Sequence, residues 1–470
     1  MSQLVWNRES VRGWGNSVRI TAQVARPTSA EQVADAFALA KGAGESLALR
    51  GSGCSYGDAA VLARGRVLDL SRMNRILEFD AETGIARVEP GVTIRELWRH
   101  SIGRGYWPAV VPGTMFVSIG GATAMNIHGK NNFVTGSFGE HVLGFELLLP
   151  DGSRVCCDKE REKDLFFAAI GGFGMLGCFT EITLKLKKVH SGRMKVQALV
   201  NRDLDHALEL FARDCEDSDY YVGWLDAHAR GKALGRGVLH RADQYEKGED
   251  LVGERMLDAE CQDVKKTVLG VVPKSWLWPG LWAVVNGGGM RPLNAGKFLA
   301  GKREQRGGAY PQTHGAFHFL LDYIPNYKLA FWPGGLIQFQ PFVPAAAASR
   351  VLRELLEMSQ RERLVPYLLV LKRHRPDPFL MTHAVDGFSL AMEYQVSAGN
   401  RARLWALCQR MAEVVLMAGG RFYYAKDATL EASSFARIHG DAAVARFRAL
   451  KQRCDPQRLL QTDLSKRMGV

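Results

Sequence analysis

Three glycine-rich stretches decide the fold: RGSGCSYGD at residues 50–58, PGTMFVSIGGATAMNIHGKNNFVTGSFG at 112–139, and GGFGMLG at 171–177. The first follows the apolar run 47–49, as the phosphate loop of a Rossmann unit would. Its spacing is GxGxxxG, however, and Gly65 follows Gly57 by only eight residues. This leaves no room for the crossover helix of a dinucleotide-binding βαβ unit, so the pattern excludes a Rossmann domain.

The three stretches together predict a different kind of dinucleotide site. Small residues let backbone N–H groups approach a pyrophosphate closely, and several such loops can hold one long ligand without a helix dipole. A single loop of this kind would be interpreted more simply as a tight turn.

The rest of residues 1–190 predicts strands and helices between these loops. Capping boxes at 28–31 and 93–96 each predict the start of a helix. Residues 75–79 and 85–88 flank the sequence DAETG, which predicts a β-hairpin.

A second domain is predicted over residues 191–415. Its aromatic-rich strands and two amphipathic helices, near 204–215 and 345–360, indicate an antiparallel sheet with helices on one face. Residues 241–310 lack clear periodicity and predict a mobile loop region. Residues 416–470 return to short motifs, and we expect them to pack on the first domain. The predicted fold class is therefore α+β, with two domains.

Composition places the chain among ordinary globular proteins. The 470 residues are 47% hydrophobic and 23% charged, which excludes wholesale disorder, collagen and coiled coil. The eight cysteines show no metal-ligand spacing and are sparse for this length, so we expect neither a metal site nor a disulfide framework, and a reducing compartment.

The net charge of +12 has three interpretations: a scattered basic surface, a nucleic-acid site, or attraction to an anionic membrane or substrate. The sequence has no long run of basic residues, which argues against a nucleic-acid site. The N-terminal residues do not resemble a secretory signal, and prolines and a lysine interrupt the longest apolar stretch, 268–285, so an integral membrane protein is not expected. Three tryptophans precede a set of cations and suit a membrane interface: Trp276, Trp278, Trp282, Arg291, Lys297, Lys302, Arg303 and Arg306.

The motifs carry a family resemblance. They are SYGD at 55–58, IHGKN at 127–131, GSFGEHV at 136–142, LGRG at 234–237, GGRFYYAKD at 419–427 and DPQRLLQTDLSKR at 455–467. With the glycine loops, they resemble the vanillyl-alcohol-oxidase superfamily of flavoproteins, whose FAD domain is shared with p-cresol methylhydroxylase. Within it, the chain more closely resembles the decaprenylphosphoryl-β-D-ribose 2-oxidases, from about residue 13 to the C-terminus.

The resemblance implies an FAD site. The implied cofactor-binding residues are Arg50, Gly51, Ser52, Gly53, Cys54, Ser55, Tyr56, Gly57, Pro112, Gly113, Thr114, Val117, Ser118, Gly120, Gly121, Ala122, Asn126, Ile127, Gly129, Asn131, Gly136, Ser137, Gly177, Cys178 and Tyr423. Many superfamily members attach FAD through a histidine at the position of Cys54, whereas the close relatives do not; we therefore expect non-covalent FAD, with a cysteinyl linkage as the alternative.

The resemblance also implies catalytic and substrate-binding residues. Lys426, after an apolar aromatic pair, is expected to be desolvated and to contact a substrate hydroxyl or the flavin; the alternative is a surface lysine paired with Asp427. His128 is either the base or a structural histidine, and Lys130 a second polar partner or a loop cation. Implied substrate-binding residues are Phe331, Gln338, Gln340 and Lys372.

The implied function is FAD-dependent oxidation of the 2-hydroxyl of a polyprenylphosphoryl-β-D-ribofuranose, the first half of an epimerisation to the arabinose donor for cell-envelope glycans. An NAD(P)H-dependent short-chain reductase is the implied partner, and the expected location is cytoplasmic, peripheral at the inner face of the plasma membrane. The alternatives are an aldonolactone or alditol oxidase that uses oxygen and a soluble sugar, and a flavin-less scaffold in a glycan complex.

Overall fold

The computed structural model of the chain describes residues 4–264, 267, 268, 272–285 and 287–470. Its first part contains two larger sheets. One has the strand order Asn7–Arg12, Arg19–Ala25, Arg66–Asp69 and Leu47–Arg50, in which the last three strands are parallel. The other is antiparallel, in the order Ile76–Asp80, Ile85–Val88, Cys178–Lys185, Val142–Leu148 and Arg154–Asp158. The predicted hairpin over 75–88 is confirmed as the first two strands of this second sheet.

A larger antiparallel sheet follows. Nine strands belong to it among the described residues. Their order is Tyr310–Thr313, Arg193–Asn201, Gly237–Gln244, Tyr220–Leu225, Leu368–His374, Gly387–Gln395, Pro341–Pro344 and Arg421–Phe422, with Leu336–Phe339 also paired to Gly387–Gln395. Two short strand pairs complete the set: Tyr106–Trp107 with Lys187–Lys188, and Thr267–Val268 with Val272–Pro273. The α+β class is confirmed.

The helices pack on these sheets. Those of the first part are Ala30–Gly42, Ile94–Ser101, Ile119–Ala124, Asn132–Thr135 and Lys163–Ala169. Those that follow are Leu204–Asp214, Ala259–Gln262, Trp278–Val284, Gly287–Gly307, His314–His318, Ala345–Arg361, Arg401–Met417, Ala432–His439, Asp441–Cys454 and Asp463–Met468. The two long amphipathic helices predicted near 204–215 and 345–360 are confirmed. In the described part of the chain, no helix combines the length and apolar character needed to cross a membrane.

The two predicted capping boxes differ in outcome. Thr93 and Glu96 form theirs as predicted, at the start of Ile94–Ser101. The first is displaced by one residue, because Ser29 is the N-cap and its hydroxyl accepts from Gln32 N. Serine and threonine are both favoured N-cap residues, so the sequence alone does not decide between Thr28 and Ser29.

The prediction of a loop over 241–310 is wrong for Gly287–Gly307, which is a 21-residue helix. Its glycines and Pro292 obscure the helical pattern. One of those glycines allows the helix to approach the sheet closely, since a Cβ on Gly301 would lie 2.3 Å from a methyl carbon of Val238. Residues 265, 266, 269–271 and 286 of this region lie outside the described residues.

The C-terminal residues contact the first part of the chain. Leu47 N donates to Leu459 O, at 2.8 Å, and Gln461 N donates to Leu47 O, at 3.0 Å. Buried Leu459 and Leu460 pack in the same apolar cluster as Phe37. The C-terminus thus covers the parallel strands that lead into the first glycine loop. The domain boundaries at 190 and 415 remain predictions.

Candidate active site

One cavity of about 530 Å³ lies between the glycine loops and the large sheet. This volume is in the range of pockets that bury a small molecule. The glycine loops line one end, and the strands Tyr220–Leu225, Leu368–His374 and Gly387–Gln395 contribute side chains to the other.

The backbone of the glycine loops forms a large part of the wall. Ser52 N donates to Ser118 Oγ at 3.3 Å, and a Cβ on Gly51 would lie 2.1 Å from that same oxygen, so the first two loops touch. At Gly174 in the third loop, where φ is +74°, the nearest atom to an added Cβ would be Leu49 Cδ1 at 4.0 Å. A side chain there would project into open space within the cavity. The wall therefore fits a dinucleotide held against backbone, as the sequence predicted.

A carboxylate that the sequence did not single out fixes the second loop. Asp322 accepts from Thr114 Oγ1 at 2.7 Å and from Met115 N at 2.8 Å. Burial raises the pKa of Asp322 to about 6. The segment around residue 320 is thereby bound to the start of the second glycine-rich stretch, at residues 112–115.

Most of the predicted cofactor-binding residues line the cavity. They are Arg50, Gly51, Ser52, Gly53, Cys54, Ser55, Tyr56, Pro112, Gly113, Thr114, Val117, Ser118, Gly120, Gly121, Ile127, Gly177 and Tyr423. Those outside the lining are Gly57, Ala122, Asn126, Gly129, Asn131, Gly136, Ser137 and Cys178. Among these, Asn126 Nδ2 and Ser137 Oγ both donate to Asp377, at 2.9 and 3.0 Å, so they support the loop from behind.

The predicted substrate residues divide in the same way. Gln338, Gln340 and Lys372 line the cavity. Phe331 does not: it is buried in an apolar cluster with Tyr56 and Leu336. An aromatic residue beside a predicted pocket cannot be assigned to the pocket or to the core from sequence, and here it belongs to the core.

His128 lies at the centre of a buried polar network. Lys372 Nζ is 3.4 Å from its Nδ1, and Gln340 Nε2 is 3.1 Å from its Nε2. Gln340 also donates to Ser389 Oγ, at 3.3 Å, and His374 Nε2 lies 2.7 Å from the same hydroxyl. Burial, with the charge of Lys372, holds the pKa of His128 well below its usual value. The imidazole is therefore neutral, and its two neighbours fix its orientation.

Lys426 also lines the cavity, next to Tyr56. Its Nζ is 3.8 Å from the centroid of the Tyr56 ring. Tyr56 OH donates to Glu393 at 3.2 Å, and Gln338 Nε2 donates to the same carboxylate at 3.4 Å. Burial lowers the pKa of Lys426 to about 7, partly opposed by the charge of Glu393, and burial raises the pKa of Glu393 to about 7. Lys426 is thus poised to exchange a proton near neutral pH, as its aromatic setting predicted.

Arginine, rather than lysine, is the partner of Asp427. Arg467 donates to Asp427 Oδ2 at 2.8 Å and to both carboxylate oxygens of Asp58, at 2.9 and 2.8 Å. The alternative prediction, a surface Lys426 paired with Asp427, is therefore wrong. Arg467 joins the residue after the first glycine loop to the residue after Lys426.

Sequence reasoning missed several of these residues. Glu393 and Ser389 lie among mostly apolar residues on the strand Gly387–Gln395, whereas His374 ends the strand Leu368–His374, after Lys372 and Arg373. A single acid in an apolar run is the one signal available, because charged residues are rarely buried without a partner.

The charge of the cavity wall is one-sided. Lysines 130, 297, 372 and 426 line it, together with Arg50, and no Asp or Glu is among the lining residues that the structure describes. Within the described ranges, no group of three or more His, Cys, Asp or Glu residues is arranged to hold a metal ion. The arrangement favours an anionic ligand.

Comparison with known proteins identifies the class. Residues 21–158 match the family described as FAD binding domain, which covers the first two glycine loops. The protein is a flavoprotein with a p-cresol-methylhydroxylase-type FAD domain, its cofactor is FAD, and it is an FAD-dependent oxidoreductase that acts on CH–OH groups. A flavin-less scaffold is left without support.

The predicted resemblance to one oxidase is also confirmed. The chain is 26% identical to decaprenylphosphoryl-beta-D-ribose oxidase from Mycolicibacterium smegmatis over 467 residues, 97% of each chain. An uncharacterized protein from Streptomyces coelicolor is 29% identical over 81% of this chain and 100% of its own. L-gulono-1,4-lactone dehydrogenase from Mycobacterium tuberculosis is 29% identical over 50% of this chain and 52% of its own.

Proposed function

We propose that the protein oxidises the 2-hydroxyl of a polyprenylphosphoryl-β-D-ribofuranose to the 2-keto sugar. The observation that carries this proposal is the cavity wall, which presents four lysines and no carboxylate among its described residues. A sugar phosphodiester is anionic, whereas the aldonolactones and alditols of the alternative are neutral. The full-length similarity to an oxidase named for a phosphorylated ribose supports the same substrate class.

The residues of the cavity divide the chemistry. FAD held by the glycine loops would supply the hydride acceptor for the carbinol carbon. Lys426, as a neutral amine, accepts the hydroxyl proton, because its pKa of about 7 suits a base at neutral pH. His128 is a weaker base, since its pKa is far lower. Its contacts with Lys372 and Gln340 instead orient polar groups toward the sugar.

We also propose that FAD is held without a covalent bond. Burial raises the pKa of Cys54 to about 11, so its thiol stays protonated and is a poor nucleophile. Its Sγ lies 3.6 Å from Phe116 O, in hydrogen-bonding range.

Flavin bleaching tests the substrate. In anaerobic stopped-flow mixing, farnesylphosphoryl-β-D-ribofuranose is expected to bleach the bound flavin, and free ribose is expected to leave it oxidised. Rapid bleaching by xylitol or L-gulonolactone, with hydrogen peroxide formed in air, would instead establish the soluble-sugar alternative.

A separate reductase completes the proposed reaction sequence. The 2-keto product carries a carbonyl that must receive a hydride on the opposite face to give the arabino epimer. An NAD(P)H-dependent short-chain reductase supplies that hydride, and the two steps together make the arabinose donor for cell-envelope glycans.

We also propose that the protein binds peripherally at the inner, cytoplasmic face of the plasma membrane. Two of the three tryptophans predicted for a membrane interface are largely exposed, Trp276 by 74% and Trp282 by 59%, whereas Trp278 is half-buried. Trp332 is also exposed, by 66%. The helix Trp278–Val284, which carries Trp282, packs on the segment Tyr327–Phe331, which directly precedes Trp332. We propose that Trp276, Trp282 and Trp332 form one surface, the tryptophan surface. This tryptophan surface continues to the cavity mouth, because Lys274, two residues before Trp276, lies 3.4 Å from the ring of Tyr323. Tyr323 itself lines the cavity.

Vesicle sedimentation tests this surface. Vesicles that contain phosphatidylglycerol are expected to pellet the protein at low salt, and Trp276→Ala with Trp282→Ala to weaken binding by about tenfold or more, since each tryptophan buries a large apolar area. Met417 is 84% exposed at the end of another helix, so Met417→Ala is the matched control. Equal sedimentation of the two variants would contradict the assignment.

A further inference from the structure

His318 has no hydrogen-bond partner on either ring nitrogen among the described residues, although it is only 1% exposed. It ends the short helix His314–His318 and lines the cavity. Its ring packs against Tyr220, with centroids 4.7 Å apart, and Trp107, at 5.8 Å. A buried polar group without a partner is costly, so a ligand group in the cavity is expected to complete its hydrogen bonding.

Two lysines face the same part of the cavity. Lys130 Nζ donates to Phe317 O and lies 4.2 Å from the centroid of the Phe317 ring. Lys297 Nζ lies 4.3 Å from the ring of Trp224. Burial lowers the pKa of Lys130, and the charges of Lys372 and Lys297 lower it further. An anion between these cations would relieve their repulsion.

The nearby carboxylate Glu304 is already engaged. It accepts a hydrogen bond from Tyr310 OH and lies 3.5 Å from His240 Nε2. Neither Lys130 nor Lys297 has a carboxylate within 4.0 Å in the described ranges of the chain. Glu304 acts on Lys297 only through its charge, which partly opposes the lowering of the Lys297 pKa by burial.

Apart from Lys130, which belongs to the second glycine-rich stretch, this position is built from other elements. Trp224 and His240 belong to the large sheet, and Lys297 belongs to the helix Gly287–Gly307. Directly after His318 the chain turns apolar: Leu320 lines the cavity and is 57% exposed. A cationic pocket therefore lies beside an apolar exit.

We propose that His318, Lys130 and Lys297 form a subsite for the phosphate of a lipid phosphodiester. The two lysines neutralise the phosphate oxygens, His318 donates one N–H to them, and the lipid chain leaves past Leu320 toward the tryptophan surface. This subsite rests on the proposed function and deepens it, because it assigns the anionic part of the substrate to particular residues.

Steady-state kinetics of the holoenzyme test the subsite. With farnesylphosphoryl-β-D-ribofuranose, Lys297→Met and His318→Gln are each expected to raise KM by about tenfold or more, the size of one lost charge-assisted hydrogen bond. The limiting rate constant is expected to stay within about twofold. Lys232 is exposed and lies outside the cavity lining, so Lys232→Met is the matched control.

Calorimetric titration with farnesyl phosphate separates the subsite from the proposed reaction. The wild type and Lys232→Met are expected to bind it equally, and Lys297→Met and His318→Gln to bind it about tenfold less tightly. If phosphoryl ribose does not bleach the wild-type flavin, the proposed function fails, yet this titration still decides the subsite. Unchanged affinity in Lys297→Met, or an equal loss of affinity for farnesol, would overturn the subsite. Because the Lys297 side chain is exposed, its replacement keeps the test open if His318→Gln misfolds.

Discussion

Replacing Lys426 with methionine is expected to slow reduction of the bound flavin by substrate by about a thousandfold, in the middle of the range for a general base. Methionine keeps the length and apolar stem of lysine but cannot accept a proton. Lys426 lines the cavity, and its Nζ lies against the ring of Tyr56. The measurement is the rate of flavin bleaching in anaerobic stopped-flow mixing at saturating substrate.

The rate of flavin reduction is expected to depend on pH in a defined direction. Below its pKa of about 7, Lys426 is an ammonium group and cannot accept the hydroxyl proton. As pH rises through about 7 the amine is freed, so the wild-type rate is expected to rise and then level off. The same dependence is expected to disappear in Lys426→Met.

Lys426→Arg distinguishes a base from a charge. Arginine keeps the positive charge but does not deprotonate in proteins, so it is expected to be nearly as slow as methionine. A Lys426→Arg rate within about tenfold of wild type would show that the charge alone suffices. Both variants are expected to retain flavin, and acid denaturation is expected to release all of it, since the attachment is proposed to be non-covalent.

The local parts of the fold could be predicted from sequence, because short-range signals specify them. The hairpin over 75–88, the capping box at Thr93 and the glycine loops each depend on residues a few positions apart. The helix Gly287–Gly307 could not be predicted, because packing on distant strands stabilises it and its own residues show no clear helical pattern.

The residues of the site also differ in whether short-range sequence signals specify them. Lys426 and His128 lie in short motifs that carry a resemblance, and both line the cavity. Glu393 could not be found this way, since its hydrogen-bond donor Tyr56 is 337 positions away. His318 gave no signal either, because what marks it is the absence of a partner in the folded chain.

Replacing Arg467 with methionine is expected to lower the free energy of unfolding by about 3–5 kcal/mol, the cost of leaving buried charges without their partner. The carboxylates of Asp58 and Asp427 are only 14% and 5% exposed, and Arg467 bonds to both. Asp427 also accepts from the backbone N–H groups of Thr429 and Leu430, at 2.8 and 3.0 Å. Loss of the arginine therefore loosens the turn that follows Lys426.

Urea denaturation of the holoprotein, followed by flavin fluorescence, measures this effect through the shift of the midpoint. The control is Arg437→Met: Arg437 pairs with Glu413 at 2.9 Å, but the two side chains are 43% and 58% exposed. Solvent weakens such a pair, so the expected loss is below about 1 kcal/mol. A midpoint for Arg467→Met equal to that of the control would contradict the prediction.

A double variant tests the cause of the loss. If the unpaired carboxylates are responsible, adding Asp58→Asn to Arg467→Met is expected to recover part of the stability, because one buried charge is then removed. If the lost side-chain volume of the arginine were responsible, the second substitution would bring no recovery. Flavin is expected to dissociate earlier in urea from Arg467→Met than from the double variant, because Asp58 directly follows the glycine loop at Gly57, where a Cβ would lie 2.0 Å from Asp427 O. The arginine thus fixes the positions of the first glycine loop and of Lys426 relative to each other. Stability and flavin retention are therefore expected to fall together.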